Sequence, residues 1–111
     1  MSNNGMVPGI IGQLVGTRIP AGMSRGELLL LRRLVDEEDA DTGEQLTRFV
    51  PGGWWIESDN VSAQTCFRLI KHSLISMDGE ESGGVSYWRV NEMGRMALRG
   101  MTLAQIKAAV R

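Results

Sequence analysis

Cysteine is nearly missing from this chain. Cys66 stands alone, so no internal disulfide can form and a secreted, disulfide-built scaffold is excluded. Histidine also occurs once, at His72. A zinc site takes three or four ligands, which one His and one Cys cannot supply, so neither metal nor cofactor is expected. Cys66 and His72 lie about 240° apart round a helix, which rules them out as a nucleophile–base dyad. No apolar run is long enough for a membrane-spanning helix, and the first residues lack the basic-then-apolar layout of a signal peptide. The glycine clusters "PGGWW", "SGG" and "GRMALRG" have no Walker spacing and cradle no phosphate. With no local pairing of nucleophile and base, an enzyme is not expected. These absences lead to the expectation of a soluble, cytoplasmic binding protein with no membrane partner.

What remains is ordinary enough to fold. The 111 residues, 42% of them hydrophobic, make one domain with a small core. The formal net charge is only −1, but the charges are segregated. Residues 36–44, "DEEDADTGE", hold six of the 13 acidic residues, which leaves 12 basic residues against seven acidic ones elsewhere. A nearly neutral chain of this kind can still present one positive face.

The first 22 residues, with five glycines and two prolines, read as an irregular arm. "SRGE" from Ser24 is a capping box. The run that follows puts Leu28, Leu31, Leu34 and Val35 on one helix face and Arg32 and Arg33 toward water. The acidic stretch fits badly at a helix C-terminus, so the helix should stop early in it and the rest should be a solvated loop. Two β-prone runs, Leu46–Val50 and Trp54–Glu57, flank "PGG" and suggest a hairpin. Side chains alternate along a strand, so one of Trp54 and Trp55 faces the core and the other covers an edge or meets a partner. Ser62 is the next N-cap, with Cys66, Leu69, Ile70 and Leu74 at helical spacing. "SMDGEESGG" is a turn-rich tip. "VSYWRV" alternates, Val85, Tyr87 and Arg89 on one face against Trp88 and Val90 on the other. Asn91 caps a third helix, Gly100 ends it, and Thr102 caps a short final one carrying Leu103, Ile106 and Val110. Leu28, Leu31, Leu34, Cys66, Leu69, Leu74, Val90 and Leu98 should share one core.

The order helix, strands, helix, glycine-tipped hairpin, helix resembles a winged-helix DNA-binding domain. The resemblance is carried by "VSAQTCFRLIKHSLI" and "YWRVNEMGRMAL", within residues 58–99. The first is similar to the recognition-helix phrase of winged-helix regulators, the second to the strand-into-helix phrase after the wing, with Asn91 as cap and then Gly94. The resemblance implies an α+β, winged helix-like fold of three to four helices with a small antiparallel β-hairpin wing. The arm would span residues 1–22, the winged-helix domain 23–100 and a short C-terminal helix 101–111. Two features depart from the pattern. "QLTRFVPGGWWIESD" reads as strand, turn and strand where the pattern has a helix that crosses the DNA backbone. Ser73 stands where it usually has glycine.

With Cys66, Leu69 and Ile70 inward, Gln64, Arg68, Lys71 and His72 point outward, and no acidic residue lies between Ser62 and Met77. Arg and Gln can pair with base edges and Lys with a phosphate, while a helix N-terminus adds partial positive charge. Arg68, read as lying near the helix's N-terminal half, is the expected base contact; Ser62 and Arg89 would meet phosphates. The partner so implied is double-stranded DNA, bound sequence-specifically by a small transcriptional regulator that occupies an operator. A homodimer is expected, because one short helix reads few base pairs. The tip residues Asp78, Glu80 and Glu81 argue against deep insertion of the wing. A second reading stays open: a winged-helix module that binds a protein through Trp54 or Trp55, as small phage or mobile-element proteins do, and not DNA.

Overall fold

The computed structural model describes residues 22–40 and 43–110. The expected N-terminal arm lies, but for Gly22, outside the described residues. Among the described residues the fold is α+β, with four helices and one five-stranded antiparallel sheet.

Helix α1, Arg25–Asp39, begins as the capping box requires. The Ser24 hydroxyl accepts from the Glu27 N–H, and the Glu27 carboxylate accepts from the Ser24 N–H. Its stripe buries Leu28, Leu30, Leu31, Leu34 and Val35. The helix does not stop early in the acidic run; it continues through Asp36–Asp39. The macrodipole penalty there is worth only about 0.3–1 kcal/mol per charge, and tertiary partners outweigh it. Glu38 Oε2 accepts the Val90 N–H at 2.7 Å, and Arg95 reaches Glu38 at 3.5 Å and Asp39 at 3.2 Å. The carboxylates of this turn tie α1 to the elements packed on it.

The sheet comprises β1 (Leu46–Phe49), β2 (Gly53–Ile56), β3 (Asp59–Val61), β4 (Ile75–Met77) and β5 (Val85–Val90), in the spatial order β3-β2-β1-β5-β4. The expected hairpin around "PGG" joins β1 to β2, with Thr47 opposite Trp55. The hairpin after the second helix is present as β4–β5, but it belongs to a sheet larger than a small wing. Strand β3 was not anticipated. It follows β2 through the two-residue turn Glu57–Ser58, where Glu57 takes φ +54 without the glycine that would have announced such a turn.

One face of the sheet carries Leu46, Trp54, Ile56, Ile75, Trp88 and Val90 into the core, where they meet the α1 stripe and Cys66 and Leu69. The alternation read in "VSYWRV" holds: Ser86, Trp88 and Val90 are buried, Tyr87 and Arg89 exposed. Of the expected core, Leu28 is buried but is not part of the main cluster, and Leu98 is only partly buried, packed against that cluster. Helix α3, Glu92–Leu98, is capped by Asn91. It crosses so close to the chain at Leu74 that a Cβ on Gly94 would lie 2.4 Å from the Leu74 carbonyl oxygen, so only glycine fits. Helix α4, Leu103–Ala109, has the Thr102 capping box and sends Ile106 into the same core, while Val110 stays exposed. No helix among the described residues is long and apolar enough to cross a membrane.

Candidate functional site

Helix α2, Ala63–Lys71, is held at both ends by local chemistry. The Ser62 hydroxyl accepts from the Thr65 N–H at 3.2 Å, so the residue expected to meet a phosphate is engaged as a cap. At the other end Ser73 N–H donates to the Ile70 carbonyl and Leu74 N–H to the Leu69 carbonyl, with Ser73 at φ +60. That bond pair is a Schellman motif, which asks for a left-handed residue at the position of Ser73. The same motif closes α3, where Gly100 fills the left-handed position at φ +95.

The phase of α2 follows from its interior face. Cys66 and Leu69 are fully buried, and this turns Gln64, Phe67, Arg68 and Lys71 to solvent, with His72 half-buried at the C-cap. Arg68, however, sits in the last turn of the helix, not in its N-terminal half, because the helix ends at Lys71. Gln64 is the outward side chain of the first turn. Phe67 belongs to the same arc and was missed; it lies three residues past Gln64 and four before Lys71. The Arg48 guanidinium of β1 stacks 5.2 Å from its ring centroid and 5.3 Å from that of Trp54, which brings a further cation beside α2. Burial pushes the Cys66 thiol up to about 12, so it is a packing group and not a nucleophile.

Arg68, Lys71 and His72 converge with Gly22, Met23, Ser24 and Glu27 on one cleft of about 400 Å³ between the start of α1 and the end of α2. None of the ion pairs among the described residues involves Arg68 or Lys71. Arg89 is not brought to this place. It lines a separate cleft together with four acidic residues, Glu37, Glu38, Glu44 and Asp78. The acidic turn of α1 therefore lies at the far end of the helix from Arg68 and Lys71.

Trp54 is 1% exposed and stacks against Trp88 at 5.4 Å and Phe67 at 5.7 Å. It cannot anchor a partner; it is the core-facing member of the pair. Trp55 is half-buried on the opposite face, its indole N–H donating to the Gly52 carbonyl. There the register sets Trp55 and Tyr87 on either side of Thr47, with exposed Phe49 two residues along β1. Among the described residues, no group of three or more His, Cys, Asp or Glu side chains is arranged to hold a metal ion. Among the described residues the fold is an α+β domain with a basic helix face and a sheet face on which the aromatic side chains Phe49 and Tyr87 are exposed. No family model, curated protein or solved structure matches the chain.

Proposed function

We propose that this chain binds double-stranded DNA through α2, as a winged helix-like regulator that acts by occupying its operator. The observation that carries this reading is the split of α2 into a fully buried face, Cys66 and Leu69, and a solvent face of Gln64, Arg68 and Lys71 without a described carboxylate paired to either cation. The strand order lends support. β1, β5 and β4 are neighbours, and α2 leads directly into the β4–β5 hairpin, the connectivity a wing requires. The hairpin β1–β2 stands in the sequence where the pattern has its backbone-crossing helix, so DNA contact rests on α2, with Arg48 of β1 beside it. The acidic tip and the carboxylates around Arg89 leave the wing with no phosphate-binding role.

A salt titration of binding to random duplex tests the reading. Each phosphate neutralised contributes a slope of about −0.9 in log K against log salt, so two or three contacts give about −2 to −3. Absence of binding at low salt overturns it. The second reading would then stand: a protein-binding module whose contact face is the exposed side of the sheet, with Trp55, Tyr87 and Phe49 as its aromatic surface.

A further inference from the structure

Charge does not account for Phe67. It is 46% exposed, an aromatic ring on the outward arc of α2 among polar side chains. Gln64 stands three residues before it and Lys71 four after it. Residues at those spacings are neighbours on a helix surface, so the three form one line along the helix, with Arg68 to one side. The ring is not free to swing. The Trp54 ring meets it at 5.7 Å and 87°, a T-shaped contact, and the Arg48 guanidinium lies 5.2 Å from its centroid. Trp54 is core and Arg48 belongs to β1, so the sheet braces Phe67 from behind and leaves nearly half of the residue to solvent. Phe67 does not line the α1–α2 cleft, which lies on the Arg68 side of the arc.

A duplex offers such a ring few partners. Base faces are stacked and hidden, and phosphates are charged. The base edges in the major groove are polar but for one group, the C5-methyl of thymine. We propose that Phe67 reads this methyl. Resting on the DNA reading of α2, the contact adds to it the class of site: one with a T·A pair under the outward line of the helix. Gln64, one turn earlier on that line, carries an amide that pairs with N6 and N7 of adenine, so two neighbouring side chains suit an A·T-containing step. A ring already braced by Trp54 and Arg48 loses little freedom when it meets the methyl.

The test changes the DNA first, so it needs no variant that folds. The whole chain selects a preferred duplex from a random pool. That duplex is remade with deoxyuridine for every thymidine, which removes the methyls and keeps every charge and hydrogen-bonding group. The original chain should bind the uracil form about fourfold more weakly for each methyl contacted, with an unchanged salt slope. Phe67→Ala should bind both forms alike and keep the same slope, since every cation remains. Equal binding of both forms by the original chain, with a steep salt slope, overturns the thymine contact and leaves the DNA reading standing. Duplex binding that enriches no sequence does the same. No binding at low salt overturns both. A Phe67→Ala chain that keeps the preference for thymine also overturns the contact, because another group or the shape of the duplex then reads the methyl. A last arm places 5-methylcytosine for cytosine in the same duplex. Tighter binding there, with no effect of uracil, would assign the ring to a methylated cytosine and overturn thymine as its target.

Discussion

The two ends of α1 use charge in opposite ways. At its C-terminal end the carboxylates are structural: Glu38 holds the Val90 N–H of β5 and, with Asp39, holds Arg95 of α3. At its N-terminal end the facing cations of α2, Arg68 and Lys71, hold nothing described. The sequence shows a dense acidic run and a cluster of basic residues at Arg68, Lys71 and His72, which suggests a solvated loop and an outward face for DNA. The structure makes the acidic end part of the architecture and leaves the basic end with unmatched valence. A charge already used by the fold is a poor candidate for binding; one the fold leaves alone is a better one.

The largest effect expected from breaking this contrast is at Glu38. Glu38→Ala removes the acceptor of a partly buried backbone N–H together with one partner of Arg95. A hydrogen bond to a charged acceptor is worth about 1.5–3 kcal/mol, and urea unfolding should show a loss of that size. A loss under about 0.5 kcal/mol, the level of an ordinary surface substitution, would mean that the acidic end is no more structural than the basic one.

Arg68→Ala should do the reverse. Its stability change should stay within about 0.5 kcal/mol, since the side chain is exposed and unpaired in the described structure. Its DNA affinity should drop by about 1–3 kcal/mol if the guanidinium reads a base, and Lys71→Ala should flatten the salt slope by about one contact. Electrophoretic shifts on preferred and random duplex separate the two roles. Equal, negligible effects would leave α2 with a solvated face and shift attention to Trp55 and Tyr87.

How much of this was legible beforehand depends on whether the signal was local. The caps at Ser24, Ser62, Asn91 and Thr102 were readable because a cap is a hydrogen bond within a few residues of chain. The phase of α2 was readable from Cys66 and Leu69 alone. What could not be read needed distant partners or silent geometry. Helix α1 runs on to Asp39 because Arg95 and Val90 meet it from more than fifty residues away. Strand β3 follows a turn whose positive-φ residue is Glu57, not glycine or asparagine. Which tryptophan faces inward was undecided by alternation and was fixed by the register of β1 with β2. Glu27 showed itself as a capping residue; that its second oxygen is buried without a donor among the described residues depends on tertiary packing, which no local pattern reports.

A smaller effect should follow from Ser73→Gly. Ser73 holds φ +60 at the cap that sets the last turn of α2, where Lys71 and His72 sit, while Gly100 does the same for α3 without a Cβ. Left-handed backbone costs a non-glycine residue about 1–2 kcal/mol, partly offset by glycine's greater freedom in the unfolded chain. The substitution should raise stability by about 0.5–1 kcal/mol in thermal or urea unfolding and leave the outward face of α2 in place. A destabilised variant would show that the Ser73 side chain does something beyond tolerating the turn.

The smallest effect concerns how far apart the two ends are electrically. From Glu27 to Asp39 is twelve residues of helix, about 18 Å at the usual rise. The screening length is about 8 Å at 0.15 M salt and about 30 Å at 0.01 M. The exposed carboxylates Asp36 and Glu44 should therefore repel DNA from the α2 face only at low salt. The double change Asp36→Asn with Glu44→Gln avoids Glu38, so the fold should keep its α1–β5 bond. Affinity for random duplex should rise modestly, less than about threefold, at 0.01 M salt and be indistinguishable from the original chain at 0.15 M. An increase that persists at 0.15 M would mean that the DNA path passes close to the acidic end. The separation between a structural end and a binding end would then fail, and Arg89 would return as a phosphate contact.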